Sequence, residues 1–463
     1  MTFYMFNVTN AAAVRNNGSK PHVEVVGPYN YNELKVKHDI AWSDDKTSVR
    51  FKYNRTFTRV KTKCPPGVLY PDFECSLDDT VNITTGNIAL MGLANTINNL
   101  PLDGKARADV FKFTNGLINF WHDKKDPQED TFMTRPVHEV IWGYTDTILK
   151  DVVDALIKFI ATITKVPLPP VPSFIQLQKN NPPEIWQNFS EVYTGKGNIN
   201  DLFHFTEWAG HKSSLGLWTG TACPNTTQGK KWIEQANMIN GTDGMAFQPE
   251  LQGVDELYVF SEDLLRSARL QYSADTEIMG IKLRRYTLWT ELLNNVSFDE
   301  SMCAFDAFMP KGALNMTSIV GGPAFASKPH FLDADPVYRQ MVDGIAPPNR
   351  SLHDTTLDLE PYTGAGMNIH QRLQVSVHMK RIPELDAFKG LPKEFYLPII
   401  KVDEHGSVTQ DLADQWKSQV GIALKAENIA HEAGIIAGSC FIALGIVLSG
   451  FMMLRKRRQG TSV

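Results

Sequence analysis

The chain has 463 residues, a net charge of −5, and acidic and basic side chains mixed along its length. This charge balance gives no indication of nucleic-acid binding, for which a basic surface is required. The length is large for one compact core and allows two or three domains.

Residues 20–60 are predicted to form strands joined by turns. The apolar run Val23–Val26 precedes a Gly-Pro-Tyr turn at residues 27–29, and residues 49–53 alternate apolar and polar side chains. Such alternation is typical of a strand with one buried face.

Residues of about 87–166 are predicted to form a helical insertion. Its clearest element is an amphipathic helix that begins after Asp146 and ends before Pro167. Packing against the core is favoured for its apolar face, with a surface for lipids or partner proteins as the alternative. The apolar positions are Ile148, Leu149, Val152, Val153, Leu156, Ile157, Ile160 and Ile163.

A proline-rich connector at residues 166–172 is expected to be stiff and extended. From Glu184 onward the pattern favours short strands and turns. Residues 372–379 are predicted to form a half-buried strand because every second side chain is apolar. The apolar face of this strand consists of Leu373, Val375, Val377 and Met379.

Residues 433–454 contain no charged side chain and are followed by the basic run 455–458. A helix of this length would extend about 33 Å, enough to cross the apolar core of a bilayer. Because basic residues collect on the cytoplasmic side of a span, we expect residues 1–432 to be extracellular or lumenal and residues 455–463 to be cytoplasmic. The alternative, a buried core helix, is disfavoured by the length and the flanking charges.

The region predicted to lie outside carries ten N-x-S/T sequons, and the tail carries none. This distribution predicts a glycosylated ectodomain. Residues 1–6 are too short and lack the basic residues of a signal peptide, so we expect that an upstream segment is missing. The sequon asparagines are Asn7, Asn17, Asn54, Asn82, Asn188, Asn225, Asn240, Asn295, Asn315 and Asn349.

Five cysteines are present, of which Cys440 lies in the predicted span. The other four would lie in an oxidising compartment, where disulfides form. Three pairings are possible. We favour Cys64 with Cys75, which flank a short Pro-Pro-Gly turn, and Cys223 with Cys303.

The sequence contains no catalytic, metal-binding or cofactor-binding constellation. His138-Glu139 begins a zinc-protease-like pattern, but Trp142 stands where the second histidine is needed. No G-x-S-x-G nucleophile elbow occurs. We therefore expect neither an enzyme nor a cofactor.

Seven short segments carry a family resemblance. They are F-Y-M-F-N-V-T-N at 3–10, G-P-Y-N-Y at 27–31, E-V-I-W-G-Y-T-D at 139–146, N-M-I-N-G-T-D-G at 237–244, P-H-F-L at 329–332, L-D-L-E-P-Y-T-G at 357–364 and R-L-Q-V at 372–375. Together, and in this order, they resemble the CD36 family, the class B scavenger receptors, which include the lysosomal integral membrane protein type 2. Family members have a span near each terminus, so the resemblance implies a first span upstream of Met1.

Two departures from the family pattern are visible. Leu265 and Ala236 stand where relatives have cysteine, so the family's disulfides cannot be carried over. Residues 147–183 form a longer insertion than in typical members.

The resemblance implies an α+β fold, with an irregular antiparallel β-barrel, a helical bundle at the membrane-distal apex and a hydrophobic tunnel toward the membrane. Such a tunnel would move a fatty acid or sterol without exposing its apolar surface, which costs about 25 cal/mol per Å². The apex of the family carries basic residues, and cations beside aromatic rings suit anionic ligands. The alternative is a solvated lysine pair that offsets Asp123 and Asp126. The residues at this position are Phe120, Trp121, Lys124 and Lys125.

We therefore predict a scavenger-receptor-like membrane glycoprotein that binds lipids or lipoprotein-like particles and delivers lipid to the bilayer. The tail lacks a lysosomal sorting signal, which favours the plasma membrane. The alternative is a lysosomal membrane receptor that sorts a protein cargo through its apical helices. The C-terminal residues 460–463 fit strand addition to a PDZ domain.

Overall fold

The computed structural model describes residues 1–62, 75–124, 130–164, 174–178, 188–214, 216–320 and 322–424, together with residues 426 and 439. The predicted span and tail therefore lie almost entirely outside the described residues. Among the residues that are described, no helix combines the length and the apolar composition needed to cross a bilayer.

Most described strands belong to one large antiparallel sheet. The strands are β1 (Thr2–Val8), β2 (Val23–Trp42), β3 (Ser48–Arg59), β4 (Asn82–Gly86), β5 (Phe132–Pro136), β6 (Tyr144–Thr145), β7 (Phe174–Ile175), β8 (Ser190–Tyr193), β9 (Phe205–Glu207), β10 (Glu256–Ser261), β11 (Arg266–Ile278), β12 (Ile281–Leu288), β13 (Ala313–Asn315), β14 (Ala324–Ser327), β15 (Thr356–Leu359), β16 (Gly366–Lys380) and β17 (Glu394–Ser407). Within the described residues this sheet has 13 strands and runs in the order β10-β11-β12-β15-β16-β17-β1-β2-β3-β8-β9, with β14 pairing to β16 and β13 to β14. Two small sheets, β4-β5 and β6-β7, lie apart from it.

The helices are mixed in length and fall mainly between the strands of the first half. They are α1 (Ala11–Asn17), α2 (Ile88–Asn98), α3 (Gly104–Lys124), α4 (Val137–Trp142), α5 (Thr147–Thr164), α6 (Thr227–Ala236), α7 (Thr317–Val320), α8 (Val337–Gln340), α9 (Arg350–His353) and α10 (Gln410–Trp416). The fold is therefore a mixture of helix and sheet built on one large antiparallel sheet.

The predicted strands are confirmed, but the turn predicted at residues 27–29 is wrong, because these residues lie inside strand β2. Residues 20–60 form the long β2-β3 hairpin, in which Tyr31 pairs with Arg59 and Trp42 with Val49. The predicted strand at residues 372–379 lies within β16. The alternation of side chains follows from the two-residue period of an extended chain.

The two edges of the large sheet are linked by the short segment 241–242. The amide of Phe205 on β9 donates to the carbonyl of Gly241 at 2.9 Å, and the amide of Phe260 on β10 donates to the carbonyl of Thr242 at 2.9 Å. Gly241 has a φ of +88°, and a Cβ atom there would lie 1.9 Å from the carbonyl oxygen of Tyr258. Only glycine fits this approach of two backbones, which gives a physical reason for the glycine in the segment N-M-I-N-G-T-D-G.

The amphipathic helix predicted after Asp146 is α5, and its apolar face packs into the core. The buried side chains on this face include Leu149, Leu156 and Ile160, each at most 1% exposed. Asp146 accepts a hydrogen bond from the Leu149 amide at 2.8 Å, which satisfies one of the free amides at the helix N-terminus. The core-packing interpretation of this helix is therefore confirmed.

Asn87 makes the equivalent cap on α2. Its side-chain oxygen accepts from the Leu90 amide at 2.9 Å, and its side-chain nitrogen donates to the Asp146 carboxylate at 3.0 Å. The two capping side chains thereby join the N-termini of α2 and α5.

The chain divides into two compact units. The first comprises residues 1–276 and 282–406 and contains nearly all the strands. The second combines residues 277–281 with the described residues after Gly406. Within it, α10 is capped by Thr409, whose hydroxyl accepts from the Leu412 amide.

Candidate functional site

A cavity of about 420 Å³ lies within the first unit. Eight strands of the large sheet line it: β1, β10, β11, β12, β14, β15, β16 and β17. Residues 174–178 and the region around α7 complete the wall. Eight strands can line one cavity only if the sheet curves around it.

Apart from Arg372 on β16, the wall is built from alternate residues of each strand, as the two-residue period predicts. Most of these side chains are apolar, which gives the cavity the chemistry of a lipid-sized ligand site. Strand β16 contributes Gln371, Arg372, Leu373 and Val375, and β17 contributes Ile400, Val402 and Glu404.

Charged side chains are gathered around Arg55 at one part of the wall. The Arg55 guanidinium lies 2.5 Å from Glu33, 3.4 Å from Asp263 and 3.6 Å from Glu404. Although burial acts to lower it, these three carboxylates raise the pKa of Arg55. Asp263 and Glu404 also line the cavity, so one guanidinium is shared by three carboxylates, two of which belong to the cavity wall.

Glu404 occupies an unusual setting for a carboxylate. Burial first, and then the neighbouring Glu33, raise the pKa of Glu404, and Arg55 only partly opposes them. A third of the Glu404 side-chain surface is still accessible, which is consistent with its place in the cavity wall. This environment therefore disfavours negative charge.

Arg372, which also lines the cavity, is matched by its own partners. Its Nε donates to the Asp403 carboxylate at 2.9 Å, and its Nη1 donates to the Asp354 carbonyl at 2.6 Å. Burial opposes the ionisation of Asp403, yet His370 and Arg372 lower the pKa of Asp403 overall. The Arg372–Asp403 pair is therefore electrically balanced.

One polar side chain in the wall is buried with an open hydrogen-bonding atom. Gln178 is 7% exposed and lines the cavity. Its Nε2 has no hydrogen-bond partner among the residues that the structure describes. A buried amide that lacks a partner costs free energy unless a ligand or water satisfies it.

A smaller cavity of about 20 Å³ adjoins the large one. It extends toward the buried side chains of Arg266 and Lys328. The lining residues common to both cavities are Leu264, Ala268, Leu288, Ala326, Arg372 and Leu373. The two spaces are therefore separated by single side chains.

The predicted aromatic and basic ligand site lies at the end of α3. Phe120 is 59% exposed there. Trp121 and Lys124 belong to the same helix, but their side chains lie outside the description, as does Lys125 altogether. The site remains a prediction.

The sequon asparagines differ in exposure. Asn17, Asn54, Asn82, Asn188, Asn225 and Asn349 are exposed, and Asn7, Asn240, Asn295 and Asn315 are half-buried. The Asn295 side-chain nitrogen, to which a glycan would attach, donates to the Met309 carbonyl at 3.1 Å. Glycosylation at these positions remains a prediction.

The structure contains a disulfide between Cys223 and Cys303. Cys75 is also disulfide-bonded, whereas Cys64 and Cys440 lie outside the described residues.

The residues that line the cavity were not identified from the sequence. An apolar side chain that faces a cavity has the same pattern as one in a solid core. Glu404 offered one usable signal, because it continues the apolar alternation of Ile400 and Val402 with an acid.

The sequence is similar to one protein family and to several known membrane proteins. The sequence model of the CD36 family matches residues 1–449. Lysosome membrane protein 2 of Rattus norvegicus is 28% identical over 466 residues, covering 99% of this chain and 84% of that protein. Sensory neuron membrane protein 1 of Mamestra brassicae is 26% identical over 453 residues, covering 96% of this chain and 79% of that protein. The family match over nearly the whole chain means that this protein belongs to the CD36 family.

Proposed function

We propose that the protein is a membrane receptor that binds lipid in the 420 Å³ cavity and passes it to the bilayer. The observation that carries this proposal is the apolar wall contributed by eight strands. Each buried methylene of a ligand is worth about 0.8 kcal/mol, so a long acyl chain has a strong preference for such a space over water.

A tunnel through a closed barrel is part of the proposal. The hydrogen bonds of residues 241–242 to both β9 and β10 support closure of the large sheet. The small neighbouring cavity supports a path beyond the large one, because only side chains such as Leu373 separate them. A C-terminal membrane span at residues 433–454 is part of the proposal, because it would hold the receptor in the bilayer that receives the lipid.

A cavity-blocking variant tests the proposal. Ala268 on β11 is 4% exposed and lines both cavities, so Ala268→Trp would place an indole inside them. The matched control is Ala274→Trp, on the same strand at an exposed position. In cells that express the full-length protein, we expect fatty-acid and sterol uptake to fall to background with Ala268→Trp and to be retained with Ala274→Trp.

Surface labelling must first show equal delivery of both variants, because overpacking a core can cost about 1–3 kcal/mol. Uptake that is equal in Ala268→Trp and the control would refute lipid passage through this cavity.

A Lys124→Ala/Lys125→Ala double variant tests the predicted ligand site separately, since it should reduce particle binding without closing the cavity.

A lysosomal receptor for a protein cargo is the second candidate. It is favoured by the relatives named lysosome membrane protein 2. Immunolocalisation distinguishes the two, because we expect the plasma membrane for the first function and co-localisation with lysosomal markers for the second. A PDZ-domain partner for residues 460–463 stays a prediction. Binding of a PDZ domain to the full chain, and its loss after deletion of Val463, would test it.

A further inference from the structure

The polar part of the cavity wall contains an excess of acid. Arg55 is the one guanidinium in contact with Glu33, Asp263 and Glu404 among the described residues. The neighbouring cation Lys35 pairs with its own carboxylate, Glu262, at 3.3 Å.

The other positive groups at the wall do not offset this excess. Arg372 is balanced by Asp403. The Met1 nitrogen donates to the Tyr31 carbonyl at 2.8 Å. At a pH above the raised pKa of Glu404, which is about 7, a ligand head that enters this part of the cavity therefore meets negative charge.

We infer that the part of the cavity wall formed by Asp263 and Glu404 selects lipids whose head group is uncharged and donates a hydrogen bond, such as a hydroxyl, over fatty-acid anions. This inference rests on the proposed lipid-binding function of the same cavity. It concerns the choice among lipids, which apolar lining alone does not determine.

The carboxylate oxygens of Asp263 and Glu404 accept hydrogen bonds and cannot donate when ionised. A ligand hydroxyl can donate to them. A carboxylate head can only accept, and it adds a further anion beside the two acids.

The behaviour of Glu404 agrees with this electrostatic argument. Its pKa is raised by burial and by Glu33, so the site already disfavours the charged form of its own carboxyl group. A ligand carboxylate at the same place would encounter the same two effects.

The test is photo-crosslinking of the full chain in phosphatidylcholine nanodiscs. The probes are a diazirine analogue of oleyl alcohol and the matching analogue of oleate, used at about pH 8 so that the acid is ionised. Only crosslinks that peptide mapping assigns to cavity-lining peptides are counted. The labelling of Ala268→Trp defines the background. We expect the alcohol to label the wild type about tenfold more than oleate, since two charges a few ångströms apart repel by more than 1.4 kcal/mol at an effective dielectric of about 20.

The double variant Asp263→Asn/Glu404→Gln removes the charges and keeps the shapes. We expect it to raise oleate labelling about fivefold or more, with alcohol labelling within about twofold of the wild type. The control is Asp44→Asn/Glu24→Gln, which changes two exposed acids away from the cavity wall. If the double variant does not fold, Asp263→Asn alone serves, because its side chain is 43% exposed.

Equal labelling by the two probes, or stronger labelling by oleate, would overturn the inference and leave the proposed function standing. A preference for alcohol that persists in the double variant would overturn the assignment to these carboxylates. Labelling by neither probe above the Ala268→Trp background would instead refute lipid binding in the cavity.

Discussion

Two core histidines, His330 and His353, are stacked with their ring centroids 4.0 Å apart. Each is 5% exposed. The backbone amide of Asn349 donates to Nδ1 of His353 at 2.9 Å, so this nitrogen must be unprotonated. Two positive rings at this separation would repel by about 4 kcal/mol at an effective dielectric of 20. We therefore expect the fold to lose stability in acid through this pair.

The direction of both pKa shifts determines whether the fold loses or gains stability in acid. Burial, with a smaller effect of Lys401, lowers the pKa of His330 to about 4. Burial first, and then His330 itself, lower the pKa of His353 to about 3. The neutral rings therefore stabilise the fold fully above pH 6.5, the ordinary histidine value, and this contribution is lost as the pH falls from 6.5 toward the folded values.

The loss of unfolding free energy can be worked out at about pH 4.5, two units below the ordinary pKa of histidine. One ring then costs up to about 2.7 kcal/mol, and the pair up to about 5 kcal/mol. Partial solvent screening reduces this to about 2–3 kcal/mol for the pair. Against a typical domain stability of about 5–15 kcal/mol, that loss is measurable.

The assay is urea unfolding of the full chain in detergent, followed by tryptophan fluorescence between about pH 7.5 and 4.5. His353→Asn retains an acceptor for the Asn349 amide and removes one titrating ring, so we expect its stability to fall less steeply with pH than that of the wild type, by the contribution of one ring. His22→Asn, at an exposed position, is the control and should leave the slope unchanged. Identical slopes for His353→Asn and the wild type would refute the reasoning.

Three further predictions follow from named contacts. Replacing Cys223 and Cys303 by alanine opens a loop of 80 residues and should cost about 4.5 kcal/mol in denaturant unfolding; a loss under about 1 kcal/mol would contradict this. Asn87→Ala removes a helix cap and a donor to a buried carboxylate, and should lower the unfolding free energy by about 2 kcal/mol, whereas an unchanged midpoint would count against the cap. Glycopeptide mass spectrometry should find Asn54 occupied and Asn295 unmodified, because the Asn295 amide is half-buried and hydrogen-bonded; the reverse pattern would contradict the exposure argument.

The family and several elements could be read from local patterns. The helix after Asp146 was predictable because an apolar stripe, a capping acid and a following proline all act within a few residues of each other. The strand within β16 was predictable because its side chains alternate. Local steric preferences and the periodicity of burial depend only on residues that are close in the sequence. They can therefore be predicted without the fold.

The cavity was decided by tertiary structure alone. Leu373 and Val377 occupy the same face of β16, yet Leu373 lines the cavity and Val377 is fully buried in the core. Nothing in the local pattern distinguishes them, because the difference depends on which strands the sheet brings opposite each one. The cluster of Arg55, Asp263 and Glu404 likewise joins residues more than a hundred positions apart. Sequence determined which side chains face inward, and only the curvature and pairing of the sheet determined where packing ends and a space for a ligand begins.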